Sequence, residues 1–428
     1  MRIGIVTESF LPNVNGVTNS VLRVLEHLEA TGHEAVVVAP GARGFEEEIP
    51  EYRGFPIHRV PTVRVPLVDS LPVGVPTPTV TSVLRDFEPD VVHLASPFVL
   101  GAAGAYSAAQ LGVPAVGVYQ TDVAGFSGRY HLGPLATAAW EWTRLVHNAC
   151  ARTLAPSSPT IAELTAHGVR NVYRWGRGVD AERFNPAKRS AELRRSWEPT
   201  GRKRIVGFVG RLAAEKGVHR LAVLSGRPDI QLVIVGDGPE RDRLRALMPD
   251  AVFTGQLGGD KLAEAYASLD LFVHPGEFET FCQAVQEAQA SGVPTIGPRA
   301  GGPVDLIEQS VTGELLDVET FSRDLPAAVE RLLDDAVHDT MARTCRETVE
   351  NRTWYAQGEK LLGHYREVIG RFRPTGLAAL KAAYRPLWTA DLAAGRPARS
   401  GRAGRTARAD RAGRAGHLAG GTRNPGAA

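Results

Sequence analysis

Only three cysteines occur in 428 residues, and Cys150, Cys282 and Cys345 lie far apart. They supply neither a metal-ligand spacing nor a disulfide framework, which suits a reducing compartment and points to the cytoplasm. No run of about 20 apolar residues is available to cross a bilayer. The most apolar stretch, Val91 to Val118, is interrupted by His93, Pro97, Gln110 and Pro114 and reads as strand, helix, strand. Any membrane contact is therefore expected to be peripheral. The opening MRIGIVTESF lacks the charged, apolar and small-residue pattern of a signal peptide and reads as a strand. Net charge is only +2, which argues against nucleic acid as a partner. A Walker loop, a Ser–His–Asp order, a His/Cys metal cluster and the Gly-x-Gly-x-x-Gly fingerprint are all missing. A dinucleotide site is thus disfavoured, and neither a cofactor nor a metal is expected.

What is present is a repeated rhythm of parallel units. Ile3 to Thr7 is a short apolar strand, Val17 to Leu28 has helical spacing stopped by Gly32, and Ala35 to Ala39 is the next strand. Val91 to Leu94, Ala115 to Tyr119 and Thr153 to Ala155 continue the set, the last leading through Ser157 into a helix. After a polar interval near Arg189 to Lys203 the rhythm restarts, with strands at Ile205 to Val209, Gln231 to Val235, Ala251 to Thr254, Leu271 to His274 and Pro294 to Gly297. Helices are expected at Leu262 to Ser268, Cys282 to Ala290 and near Thr353 to Gly370. Two open parallel sheets predict a ligand crevice at the carboxyl ends of their strands. Beyond about Pro374, Arg recurs at 396, 399, 402, 405, 408, 411 and 414 among Ala, Gly and Ser. That composition cannot bury a core. It reads either as a solvated tail or as a polybasic arm drawn to anionic lipid.

Three segments carry chemistry. In HPGEFETFCQAVQEAQASGVP, from His274 to Pro294, a strand ends and a helix is expected to begin with Thr280 as its cap. The free N–H groups of Phe281, Cys282 and Gln283 then suit an anionic oxygen or a sugar hydroxyl. At ~1.5 Å per residue, Glu279 and Glu287 stand roughly 12 Å apart along the axis. An acid and base sharing one bond sit ~5–9.5 Å apart, so the pair fits two ends of an extended ligand better. Second, Gly210 to Gly217 brings Arg211 and Lys216 to the end of a strand, where two cations can neutralise a diphosphate. The same residues equally fit a solvated pairing with Glu215. Third, Pro12 to Val17 places the single Gly16 at a helix start, where a phosphate could approach the backbone. Gln120, Thr121 and Asp122 follow a strand and face the same crevice. His93 is more often a structural histidine, and Trp140 and Trp142 fit core packing better than an acceptor cleft.

In this order, Asn15-Gly16-Val17, Gly210 to Gly217, Glu279 to Glu287, Gly292-Val293-Pro294, Gly301-Gly302-Pro303 with Asp305, and Thr312-Gly313 resemble glycosyltransferase family four. Arg177-Gly178-Val179-Asp180 with Phe184 looks like that family's interdomain linker. The stretches LPNVNGVTNSV, DVVHLASP, VYQTDVAGF and GEFETFCQAVQEA are most similar to its actinobacterial GDP-mannose-dependent alpha-mannosyltransferases. The resemblance covers about residues 1 to 370 and implies a GT-B fold, two Rossmann-like domains facing across a cleft. The expected division is 1–180 for the acceptor-side domain, 181–351 for the nucleotide-sugar domain, 352–373 for a C-terminal helix and 374–428 for the basic tail.

The resemblance further implies site roles. Arg211 and Lys216 would bind the diphosphate, Glu287 the ribose, and Glu279 with Phe281, Cys282 and Gln283 the transferred sugar. Gly16 would approach the diphosphate from the other lobe, and the loop Gln256 to Gly259, with Leu257, would border the base. Arg211, Lys216 and Glu279 become the catalytic candidates, and Asp122 a candidate acceptor contact. Many family members carry His where this chain has Gln120, a residue that cannot become cationic. The implied reaction is retaining transfer of mannose from GDP-mannose to a glycolipid or lipid-linked acceptor, such as a phosphatidylinositol mannoside or glycosyl diacylglycerol, at the inner face of the cell membrane. A UDP-sugar transferase, a nucleotide-sugar epimerase and a non-catalytic binding module are the alternatives.

Overall fold

The computed structural model of the chain describes residues 1–41, 48–63, 73–120 and 133–373. The Arg-rich segment, Thr121 and Asp122 lie outside them. The first sheet contains β1 (Arg2–Thr7), β2 (Glu34–Pro40), β3 (Glu51–Tyr52), β4 (Phe55–Val60), β7 (Val91–Ala95), β8 (Ala115–Val118), β9 (Arg152–Ala155) and β10 (Val172–Arg174), with β5 (Thr62–Val63) and β6 (Val73–Gly74) forming a separate hairpin-like pair. Its order is β10-β9-β8-β7-β1-β2-β4-β3, and every pairing except β3 with β4 is parallel. In register, Ile5 lies between Val37 and His93.

Alternation along β1 explains how the sheet is covered on both faces. Ile3 and Ile5 enter a cluster with Val21, Leu25 and Leu28 of the first helix, Gly16–Ala30. Val6 points to the opposite cluster with Leu84, Leu94 and Leu100. The strands are apolar nearly throughout, as expected when both faces of a parallel sheet are buried. The first helix starts where Asn15 accepts from the N–H groups of Val17 and Thr18. Ser157 caps the helix Ser158–Ala166 in the same way. Helix Leu100–Leu111 is capped from a distance, since the Glu8 carboxylate just after β1 accepts from the N–H groups of Phe98 at 2.7 Å and Gly101 at 2.8 Å.

The second sheet comprises β11 (Arg204–Val209), β12 (Ile230–Val235), β13 (Val252–Gly255), β14 (Leu271–Val273), β15 (Thr295–Pro298) and β16 (Gly313–Leu316). All pairs are parallel and the order is β13-β12-β11-β14-β15-β16. This is the doubly wound order, whose direction reverses between β11 and β14. In the first sheet the reversal falls between β1 and β7. Ligands of such sheets bind beyond the carboxyl ends of the strands at these switch points.

Two sequence expectations are amended. Phe55–Val60, passed over in the sequence, pairs with β2, and its exposed Pro56 and His58 break the apolar run that marks its neighbours. The helix expected at Thr280 begins later, at Gln283, and runs to Ala290. Its preceding residue, Cys282, adopts φ 74°, and Thr280 Oγ1 instead donates to the Gln120 carbonyl at 3.3 Å.

The C-terminal helix Trp354–Arg371 packs on the first lobe, not the second. Leu361, Leu362, Tyr365 and Val368 join the core of β1 and the first helix. The Tyr365 hydroxyl meets His93 Nδ1 at 2.7 Å, Trp175 Nε1 donates to the Gln357 carbonyl at 2.9 Å, and Arg152 pairs with Glu367 at 2.9 Å. Burial holds the His93 imidazole down at about 4, so it is neutral near pH 7. Among the described residues no helix is long and apolar enough to cross a membrane.

The seat of that helix is tight at Gly358, where an added Cβ would lie 2.3 Å from His27 Cγ. His27 is buried, lies 3.0 Å from Glu359 and stacks edge-on with Tyr355, so it has little room to yield. Helix propensity alone would make Gly358→Ala stabilising by about 1 kcal/mol. Overpacking costs ~1–3 kcal/mol and should win. Urea unfolding should show a lower midpoint for Gly358→Ala; an equal or higher midpoint would mean that the contact is slack.

Candidate active site

The second lobe's switch point brings together the loops that follow β11 and β14. After β11 the chain runs through Arg211 into a single 3-10 turn, Ala214–Lys216. Gly217 follows with φ 62°, and a Cβ there would come 3.0 Å from the Pro275 carbonyl oxygen. The missing side chain therefore lets this loop lie against Pro275 in the other. Across the junction the Lys216 ammonium ion-pairs with Glu279 Oε1. His274 Nε2 lies 3.3 Å from the same oxygen.

The electrostatics separate the two glutamates. Burial would raise the Glu279 carboxyl, but the His274 imidazole and the Lys216 charge outweigh it and hold it at about 2. Burial likewise works against the Lys216 ammonium, and Glu279 more than offsets it, so its pKa is raised. Glu287 has no such cation. Burial pushes it up to about 7, with the Tyr266 hydroxyl, the Gln283 amide and Arg183 pulling weakly the other way. Glu279 is thus a fixed anion, whereas Glu287 changes charge near neutral pH.

The two cations also differ. Arg211 is exposed and pairs with Glu215, while Lys216 is largely enclosed. His274, Glu279 and Cys282 bring three ligand-type atoms within 4.8 Å of one another. Because the Lys216 ammonium sits on that carboxylate, a divalent cation there would meet a like charge. The set is better suited to a hydroxyl-bearing or anionic ligand. Burial raises the Cys282 thiol well above its ordinary value, so it stays protonated.

The first lobe and the linker close the cleft. Gln120 is buried just after β8; its Oε1 accepts from Arg177 Nη2 at 3.2 Å, and its Nε2 has no partner among the described residues. Gly16, the first residue of its helix, lies against Arg177, since a Cβ there would be 3.3 Å from Nη1. The linker backbone is held by the helix that carries Glu287. Gln283 Nε2 donates to the Gly178 carbonyl and Gln286 Nε2 to the Arg177 carbonyl, both at 3.1 Å. Asp305 binds across the lobes to Ser158 Oγ at 2.8 Å and Arg174 at 3.3 Å.

Lys216, Glu279, Gln120 and Gly16 therefore gather around one cleft with Phe281 and Cys282, both buried beneath it. Leu257 is partly buried against the second lobe's core beyond β13. Trp140 stacks on His167 at 3.7 Å and Trp142 Nε1 donates to the Phe98 carbonyl, so both serve packing. Two residues of the cleft were missed as site residues. His274 ends a strand like many apolar neighbours, and Arg177 reads as linker, although its position between Gly176 and Gly178 could have drawn attention to it.

Two parallel α/β lobes with charged groups collected at a switch point define a two-lobed nucleotide-binding architecture. The same fold occurs in the crystal structure of Anabaena Alr3699/HepE in complex with UDP and glucose, with TM-score 0.66 at 19% identity over 85% of this chain and 99% of that one. Residues 14–183 match the model of Glycosyltransferase Family 4, and residues 189–352 match that of Glycosyl transferases group 1. A GDP-mannose-dependent alpha-mannosyltransferase of Corynebacterium glutamicum is 66% identical over 394 residues, which span 91% of this chain and 95% of that protein. A GDP-mannose-dependent alpha-(1-6)-phosphatidylinositol dimannoside mannosyltransferase of Mycobacterium tuberculosis is 28% identical over 72% of this chain and 82% of its own length. The chain belongs to glycosyltransferase family 4 and has its GT-B fold.

The raised Glu287 carboxyl has a consequence for stability. Between pH 4.5, its ordinary value, and about 7, the folded chain keeps a proton that the unfolded chain has released. Stability must therefore fall as pH rises through that window, and the loss is complete above 7. Glu287→Gln, which mimics the neutral form, should stabilise the nucleotide-free protein at pH 8 by up to about 3 kcal/mol and have little effect at pH 4.5. Thermal melts across this range check it; a pH-independent difference between variant and parent would refute the assignment.

Proposed function

We propose that this chain transfers mannose from GDP-mannose to a glycolipid or lipid-linked acceptor, with retention of configuration. The observation that carries the proposal is the Lys216–Glu279 pair at the second lobe's switch point, facing Gly16 and Gln120 of the first. The relatives' names support the donor and acceptor class. In the division proposed, residues 1–180 take the acceptor, 181–351 hold the donor, and the helix of 352–373 binds back to the first part.

Each residue has a role in that reading. Lys216 and Arg211 draw electron density from the diphosphate, Arg211 by leaving Glu215 for a phosphate oxygen. Glu279 and the backbone of Phe281, Cys282 and Gln283 orient the sugar hydroxyls, with Gln120 opposite. Glu287 accepts from the ribose diol, Gly16 admits the diphosphate to the start of the first helix, and Leu257 borders the base. The acceptor oxygen bonds to the anomeric carbon on the face from which the diphosphate leaves. Its proton passes to the departing phosphate oxygen, so no side-chain base is required. Charge on the leaving group grows in the transition state, and fixed cations stabilise it there more than in the ground state.

Incubation with radiolabelled GDP-mannose, UDP-glucose or UDP-galactose and a membrane lipid extract tests the assignment. Labelled lipid is expected from GDP-mannose alone; labelling from UDP-sugars only would favour the UDP-sugar alternative. Lys216→Ala should lower the rate by ~10²–10³, and an unchanged rate would remove Lys216 from catalysis.

The enzyme is further proposed to act at the inner face of the cell membrane, peripherally. Support comes from the lipid acceptor and from the arginines at 396 to 414, each worth ~1 kcal/mol beside anionic lipid. Truncation after Arg373 should weaken binding to anionic vesicles while sparing transfer to a detergent-dispersed acceptor. Equal vesicle binding would remove the tail from the proposal.

A further inference from the structure

Among the described residues, Arg177 is the cation of this cleft that no carboxylate answers. Among the described residues, no Asp or Glu oxygen lies within ion-pairing distance of it, whereas Lys216 has Glu279, Arg211 has Glu215 and Arg174 has Asp305. The side chain is partly buried, and burial lowers its pKa, with the more distant Glu279 charge acting the other way. Among the described residues its side chain donates only to the neutral Gln120 amide, whose own Nε2 is buried and has no partner there. The guanidinium also rests against the first residue of the Gly16–Ala30 helix. A helix N-terminus carries a partial positive charge, so two positive features converge. Withdrawing a cation from water without an opposing charge is costly. The arrangement is compensated when an anion enters between guanidinium and helix start.

We propose that Arg177 is a third cation of the donor site, donating from the linker to the phosphate nearer the transferred sugar. This rests on the nucleotide-sugar reading above and deepens it. The sugar-side phosphate follows from position. Arg177 touches Gln120 and feels Glu279, the residues assigned to the sugar end, rather than the loop beyond β13 assigned to the base. Its backbone cannot drift, because Gln286 and Gln283 tie residues 177 and 178 to the helix bearing Glu287. The linker thereby gives the donor a contact that belongs to neither sheet.

Calorimetric titration of the full chain with GDP and GMP tests the proposal. Arg177→Gln should weaken GDP binding by about 10- to 100-fold, the usual effect of losing a charged hydrogen bond, while leaving GMP binding unchanged. Arg177→Lys should recover part of the GDP affinity, and it carries the comparison if Arg177→Gln fails to fold. The melting temperature of nucleotide-free Arg177→Gln should equal or exceed the parent's, since an unanswered cation has been removed. Equal losses for GDP and GMP, or no loss, overturn the proposal. If the parent prefers UDP, the UDP and UMP pair replaces GDP and GMP, and only the donor base is revised. A parent that binds no nucleoside diphosphate brings down the donor reading, and this inference with it.

Discussion

The ion pair between Lys216 and Glu279 organises the cleft. It joins two loops that leave neighbouring strands of one sheet, β11 and β14, at the point where strand order reverses. Both partners are mostly removed from water, so the attraction is stronger than on the surface, but so is the cost of desolvation. Such a pair contributes little net stability. Its effect is positional: it keeps the lysine charged, keeps Glu279 ionised and fixes both loops before any ligand arrives. Glu287, about one turn along the following helix and with no cation in contact among the described residues, has the opposite electrostatic character. One partner distinguishes two carboxylates that look equivalent in sequence.

Around that pair, individual side-chain contacts join the lobes. Thr280 reaches the Gln120 carbonyl, Asp305 reaches Ser158 and Arg174, and two glutamines of the Gln283–Ala290 helix hold the linker. The C-terminal helix then returns to the first lobe and fills the core beneath the first helix. The chain thus crosses between lobes twice, near Val179 and near Thr353, and these two crossings bridge to each other. Paired crossings restrict relative movement of the lobes more than a single linker would, while leaving each sheet's own core intact.

Much of this was legible in the sequence because parallel strands buried on both faces leave plain apolar runs ended by glycine or a polar residue. Ser157, where the sequence placed the entry to a helix, caps that helix, and Asn15 caps the first helix although its motif was not read for that use. Thr280 misled. It has the chemistry of a cap, but its hydroxyl serves a carbonyl of the other lobe, a partner that sequence proximity cannot reveal. The helix instead starts after Cys282, whose positive φ is uncommon for a side-chain-bearing residue and has no local signature. The axial estimate of the Glu279–Glu287 spacing assumed a helix that does not yet exist at Glu279. Arg177 escaped for a different reason. Its significance lies in the lack of a countercharge among the described residues, and that is visible only in three dimensions.

The three cations illustrate why a charge count is a poor guide to catalysis. Arg211 is exposed, pairs with its neighbour in sequence and interacts through water-like dielectric, so it gains little by prior placement. Lys216 is enclosed but shares its charge with Glu279. Arg177 is partly buried and, among the described residues, shares its charge with an amide alone. In the proposed reaction the leaving diphosphate gains charge as its bond to the sugar breaks, and the useful cation is one already desolvated and already fixed. Arg177 fits that condition in one respect, because among the described residues it has no carboxylate to abandon before meeting a phosphate. The cost of holding it so is borne by the linker, through the side chains that clamp residues 177 and 178. In that proposal the segment that connects the lobes is part of the donor's electrostatic environment.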